Sequence, residues 1–181
     1  MHRDILFKET KRSIQERKSI EMDLKTYIET VDDFPAVGIK YRDIQPLLED
    51  NGAFSAAVSG LYSTTLLKPD YYVGIESRGF IFASAVANLF GKGFKMIRKA
   101  GKLPGDFNPT VEYELEYGTD TIEMKPGKGT VVIIDDVFAT GGTMQAAKQL
   151  CEKAGYEILG TAAVIDIGIN KNHDTKCLIS Y

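Results

Sequence analysis

From position 22 onward the apolar positions follow helical and strand periods in turn. Leu24, Tyr27, Ile28 and Val31 recur at helical spacing, which predicts a helix over 23–31. Phe34, Pro35 and Gly38 mark a turn-rich link. Residues 53–67 read as a second helix, with Pro69 beyond its end. Residues 71–75 form a short β-rich run. Residues 79–90 then read as a helix of small residues closed by Gly91, and 94–98 as another strand. Residues 112–117 alternate, as an exposed strand does. Residues 130–134 are an unbroken β-branched run, the pattern of a strand buried on both faces. A helix over 143–154 ends at Gly155, and 158–167 is a further strand. Strands alternating with helices predict an α/β fold, a parallel sheet covered by helices on both sides. Ligands of such sheets bind at the C-terminal ends of the strands.

Composition narrows the class. The chain has 181 residues, 44% of them hydrophobic and 26% charged, as in an ordinary globular domain. Its 22 Lys and Arg against 25 Asp and Glu leave a net charge of −3, which argues against nucleic acid as a partner. Two cysteines cannot staple a disulfide scaffold, and His2 and His173 are too few for a zinc site. Cys151 and Cys177 read as packing residues, and His173 as part of a surface turn. No apolar run spans a membrane, so no membrane partner and a cytoplasmic location are expected. Residues 1–21 carry charges of both signs throughout. They are expected to be an extension outside the functional fold, which then occupies 22–181.

The chemistry concentrates in Val131–Val132–Ile133–Ile134–Asp135–Asp136–Val137–Phe138–Ala139–Thr140–Gly141–Gly142–Thr143. An apolar strand delivers two adjacent carboxylates to the edge of the sheet. Small or hydroxylated residues follow, and then a helix starts. Small residues let backbone N–H groups approach an anion, the hydroxyls of Thr140 and Thr143 add donors, and the helix N-terminus adds positive potential. A P-loop would end in Gly-Lys-Ser/Thr, which is missing here. Carboxylates beside a phosphate cradle repel the phosphate, so they need another partner. The vicinal hydroxyls of a phosphorylated ribose supply one. The plainer reading, a Gly-rich surface turn, does not account for the ordered strand, acids, loop and helix.

This stretch resembles the phosphoribosyl-diphosphate (PRPP) motif of type I phosphoribosyltransferases. In that family the two acids hold the ribose hydroxyls and the loop holds the 5′-phosphate. Ala139 in Ala-Thr-Gly-Gly-Thr is the form seen in adenine-specific members, where hypoxanthine–guanine enzymes have an Asp. Further stretches resemble the same enzymes: Asp33–Phe34–Pro35 with Tyr41–Arg42–Asp43–Ile44, Ile75 to Phe80, Ile97 to Gly105, and Leu115 to Gly118. Their order and spacing run through almost the whole chain after Met22. Val37 departs from the proline that many relatives carry, and Asp106 to Pro109 falls in a variable part of the mobile loop.

The resemblance implies a parallel-sheet fold with a flexible hood loop, and transfer of a phosphoribosyl group from PRPP to adenine with Mg²⁺ held mainly by PRPP and diphosphate. It assigns PRPP to Asp135, Asp136, Ala139, Thr140, Gly141, Gly142, Thr143, Ser77, Arg78, Arg98, Lys99 and Lys102. Lys92 and Lys95 read as a solvated edge. Ser77 alone also reads as a helix N-cap. A non-proline cis bond is expected between Glu76 and Ser77. The Arg98 equivalent reaches the neighbouring subunit in relatives, which implies a homodimer. Arg78, Glu116 and Tyr117 carry the catalytic expectation, the last two within the hood that excludes water. Adenine falls to Ile39, Lys40, Tyr41 and Arg42, through a backbone C=O and N–H pair near Lys40 and stacking on Tyr41. Two alternatives stand beside this one: a sibling acting on another base, and a PRPP-sensing regulator without catalysis. The second would carry a DNA-binding domain, for which the chain has no room.

Overall fold

The computed structural model describes residues 22–105, 108–115 and 118–181. The expected extension, residues 1–21, lies outside the described residues. The chain divides into two compact units, Met1–Ala53 and Phe54–Tyr181.

The first unit holds a short 3-10 turn, Leu24–Tyr27, and the strands β1 (Glu29–Asp32) and β2 (Lys40–Asp43). The helix expected over 23–31 is therefore not formed. Asp23 caps the turn by accepting from the Lys25 N–H, and Glu29–Asp32 pairs antiparallel with β2. Ile28 is buried, but Glu29, Thr30, Val31 and Asp32 are all exposed, so the apolar positions do not share one helical face. Helix α1 (Gln45–Glu49), with Pro46 at its start, is not among the elements the periodicity predicts. Helix α2 (Asn51–Thr65) begins in this unit and runs into the second.

The second unit is built on strands β3 (Tyr71–Ile75), β4 (Gly93–Lys99), β5 (Thr110–Leu115), β6 (Gly118–Glu123), β7 (Gly129–Phe138), β8 (Tyr156–Asp166) and β9 (Lys176–Ser180). Among the described residues they form a seven-stranded sheet in the order β5-β6-β4-β3-β7-β8-β9. From β4 to β9 every neighbour is parallel, while β5 and β6 add an antiparallel hairpin at one edge. Helices α3 (Gly79–Leu89) and α4 (Gly142–Lys153) pack on the sheet. The β-branched run forms the buried strand its pattern predicts: Val131, Val132, Ile133 and Ile134 are almost wholly removed from solvent. The strand runs on past it, though. β8 keeps pairing with β7 through Asp135 and on to Phe138, so both acids sit inside the ladder.

Val73, Ile97, Ile133, Leu150, Cys151 and Ala163 belong to one buried cluster. Burial pushes the Cys151 thiol up to about 12 and the Cys177 thiol up to about 11. Both remain protonated and act as packing groups.

Ile133 has no exposed surface and lies in a central strand. Ile133→Ala is expected to cost about 2–5 kcal/mol in urea unfolding, seen as a lower midpoint with an unchanged slope.

Candidate active site

The C-terminal end of β7 places two carboxyls side by side. Asp136 is only 6% exposed. The Asp135 Oδ1 accepts the N–H of Asp136 at 2.9 Å. Arg78 reaches across from the start of α3, its Nε 2.7 Å from the Asp136 Oδ2. This approach depends on Gly79. A Cβ there would stand 2.9 Å from both the Asp135 Oδ1 and the Ile134 carbonyl. Only a residue without a side chain lets the helix start come down onto the acids.

Burial raises the Asp135 carboxyl well above the ordinary carboxylate value, and the charge of Asp136 raises it further. Burial also raises Asp136, partly offset by the Arg78 guanidinium. Both shifts disfavour the pair with two negative charges.

Ala139 to Thr143 turn the chain into α4. Gly141 takes φ +93°, a left-handed conformation open to glycine, and caps the helix. The first N–H groups of a helix have no partner within it. A recess of about 50 Å³ runs along this loop, lined by Asp135, Ala139, Thr140, Gly141, Gly142 and Thr143 among others. The Asp135 carboxyl and the loop from Ala139 to Thr143 thus line one recess.

A second group lies at the ends of β3 and β4. The Glu76–Ser77 peptide is cis, as the resemblance implies. Arg78, not Ser77, is the N-cap of α3, and no side chain caps that helix by hydrogen bonding. Ser77 is exposed. Arg98 lays its guanidinium on Glu76, with Nη2–Oε1 3.2 Å and Nε–Oε2 3.3 Å, and the Lys99 N–H donates to the Glu76 Oε2 at 2.9 Å. Burial raises the Glu76 carboxyl, but the Arg98 and Lys99 hydrogen bonds outweigh it and hold the group below its usual value. Lys99 also pairs with Asp120 at 3.0 Å, which raises the ammonium. The Glu123 Oε1 accepts the N–H groups of Lys102 and Leu103 at 2.7 and 2.8 Å, pinning the turn after β4. The Lys102 side chain is exposed. Lys95 lies 4.6 Å from the centroid of the Tyr71 ring and 5.4 Å from that of Tyr156, so it packs on aromatic faces instead of standing in solvent.

The hairpin of β5 and β6 adds Tyr113. Burial raises its phenol, and Thr143, Asp120, Lys99 and Asp135 are the neighbours that act on it. Glu116 and Tyr117 lie outside the described residues.

In the first unit, Ile39, Lys40, Tyr41 and Arg42 fall at and within β2. Asp33 accepts the Gly38 N–H at 2.7 Å and closes the turn before them. Phe34 meets the Tyr41 ring edge-on at 5.1 Å, Lys40 lies 3.7 Å from Asp32, and Arg42 donates to Thr30. Val37 is 90% exposed.

Glu76, Tyr113 and Asn170 carry interactions that the sequence does not single out. For Glu76 a signal exists: β3 and β4 pair at Ile75 and Ile97, so the next residues, an acid and a base, fall together. His173, expected on a surface turn, instead lies against Phe138, with centroids 4.2 Å apart, and 3.4 Å from the Asp166 Oδ2.

Because both acids are raised in the fold, the folded chain holds protons that the unfolded chain has released above about pH 4. The pair's contribution to stability therefore falls as pH rises through that range. Asp135→Asn is expected to melt higher than the native chain near about pH 7.5, with the gap closing below about pH 4. Calorimetric melting of both chains at the two pH values checks this, and a variant that melts no higher than the native chain at the higher pH contradicts it.

The sequence model of the phosphoribosyl transferase domain matches residues 46–181. The adenine phosphoribosyltransferase of Hydrogenovibrio crunogenus is 52% identical over 147 residues, covering 80% of this chain and 85% of that one. The crystal structure of adenine phosphoribosyltransferase from Rhodothermus marinus matches with a TM-score of 0.78 at 39% identity, over 87% of this chain and 96% of its own. The Giardia lamblia enzyme, complexed with 9-deazaadenine, matches with a TM-score of 0.80 at 35% identity, over 88% of this chain and 96% of its own. On the family model over residues 46–181 and these relatives, the chain belongs to the phosphoribosyltransferase family, in the adenine phosphoribosyltransferase branch.

Proposed function

We propose that this protein transfers the 5-phosphoribosyl group of PRPP to adenine, releasing AMP and diphosphate, as a step of purine salvage. The observation that carries the reading is the adjacent Asp135 and Asp136 carboxyls, Asp136 buried and Asp135 lining the recess along Ala139 to Thr143. Carboxylates there accept the 2′- and 3′-hydroxyls, and the amides with the Thr140 and Thr143 hydroxyls take the 5′-phosphate. Ser77, Arg78, Lys99 and Lys102 attract the diphosphate, and Arg98, now on Glu76, is the further cation at that end. The C1′ bond to diphosphate breaks, and a bond from an adenine ring nitrogen to C1′ forms. The proton of that nitrogen is lost. Glu116, with Tyr117 beside it, manages that proton or steadies the cationic ribosyl centre.

Ile39 to Arg42 are proposed to read the base, with backbone groups near Lys40 on the adenine edge and Tyr41 on its face. A 6-oxopurine would set an acceptor against the carbonyl that the adenine amino group satisfies. Among the described residues no three His, Cys, Asp or Glu side chains converge as a metal cage. Mg²⁺ that keeps waters and substrate phosphates as ligands needs no such cage, and it supplies charge neutralisation for the departing diphosphate. The homodimer, with Arg98 reaching the neighbouring subunit, and the cytoplasmic location belong to the same proposal. Among the described residues no helix is long and apolar enough to cross a membrane.

The test is PRPP consumption with adenine against hypoxanthine. Adenine is expected to be preferred by about 100-fold or more in kcat/KM, and no turnover with adenine overturns the proposal. Glu116→Gln is expected to lower kcat by about 100-fold or more while the PRPP Kd holds within about twofold. Unchanged turnover in that variant removes the role given to Glu116.

A further inference from the structure

The cradle that precedes α4 has a support that comes from elsewhere in the chain. The outer flank of the loop borders an open cleft of about 340 Å³, lined by Thr140, Gly141, Gln145, Lys148, Asn170 and Asp174 among others. Thr140 is exposed. A loop beside a cleft lacks the close packing that would fix its backbone. One strut crosses from the far wall: the Asn170 Nδ2 donates to the Thr140 carbonyl at 3.1 Å.

Asn170 is itself held. Its Oδ1 accepts the N–H of Asn172 at 3.0 Å, so both ends of the amide are used and its orientation follows. The segment that carries it is anchored to the sheet. The Ile167 N–H donates to the Phe138 carbonyl at 3.1 Å, and the Gly168 N–H to the Asp166 Oδ1 at 2.8 Å. His173 rests on the Phe138 ring. That ring in turn lies under the loop, since a Cβ on Gly141 would stand 3.0 Å from it and 3.4 Å from the Asn170 Nδ2. The β8–β9 connection thus braces Thr140 and borders Gly141 through Asn170.

We propose that Asn170 is a positioning residue for phosphate binding: by holding the Thr140 carbonyl it turns the following amides toward the recess before any ligand arrives. The role rests on the cradle function proposed above. In this role Asn170 acts through the Thr140 carbonyl and not by contact with substrate. It acts on whatever the loop holds and not on what Ser77 and Arg78 hold.

Two variants separate the strut from its alternatives. Asn170→Asp keeps the acceptor for Asn172 and the turn, but replaces the donor facing Thr140 and adds a charge. Asn170→Ala removes the donor without a charge and loses the turn contact as well. In calorimetric titration both variants are expected to bind AMP about three- to tenfold more weakly, the range for one lost hydrogen bond, with diphosphate binding within about twofold. KM for PRPP rises by a similar factor while kcat stays within about twofold, because the phosphate is held alike in ground and transition states.

Weakening in Asn170→Asp alone assigns the effect to charge. Weakening in Asn170→Ala alone assigns it to the turn. Equal loss of AMP and diphosphate assigns it to general damage. Each of these overturns the strut, as does no change at all. Amide hydrogen exchange of residues 139–143 in the free protein gives a readout that needs no ligand. Exchange is expected to quicken about fivefold or more in both variants. Unchanged exchange overturns the strut even where AMP binds, and quickened exchange supports it even if the native chain binds no AMP.

Discussion

Two neighbouring acids at the end of a buried parallel strand set the terms for the rest of the site. Asp135 and Asp136 follow Ile134 without a break, and β7 is locked on both sides by β3 and β8. The strand cannot swing them into solvent without unzipping the ladder. Burial and proximity make their charges costly, as the raised carboxyls record. A chain selected for stability alone would not keep that pair. It persists with the help of Arg78, which sits on Asp136 because Gly79 lets α3 begin against the strand. On the proposed function, a vicinal diol takes up the hydrogen-bonding capacity that the pair has left.

Charge is arranged around this pair in a graded way. The loop before α4 offers amides and hydroxyls, suited to a terminal phosphate that must bind and leave. The ends of β3 and β4 offer full cations, suited to a more highly charged leaving group. Those cations are partly occupied at rest, Arg98 by Glu76 and Lys99 by Asp120. On the proposed function, an incoming diphosphate would compete with these carboxylates and exchange one set of ion pairs for another. The β5–β6 hairpin brings Tyr113 beside Thr143 and Asp135, so the segment leading to Glu116 is tied to the same end of the sheet.

Much of this is legible in the residues. Strands 71–75 and 130–134 stand out because a short run rich in β-branched and aromatic residues suits a strand buried on both faces better than it suits a helix. The acids, the glycines and the helix after them read as one unit because each element's chemistry needs the next. The first unit is misleading at 23–31. The apolar positions there are divided between a turn that ends at the buried Ile28 and an exposed strand, and the Asp23 cap belongs to a turn that stops early. Long-range partners are not legible at all. Nothing local in Asn170 or His173 points to Thr140 or Phe138, which lie far earlier in the chain and meet them only through the β7–β8 register. Glu76 is a nearer miss, since the pairing of β3 with β4 discloses Arg98 as its partner.

The account stands or falls on where the sugar sits, and a crystal structure of the protein with AMP shows this directly. Both ribose hydroxyls are expected within hydrogen-bonding distance of the Asp135 and Asp136 carboxylates, with the 5′-phosphate on the amides of the loop from Ala139 to Thr143. A nucleotide bound at another place, with those carboxylates still facing only Arg78 and each other, contradicts it.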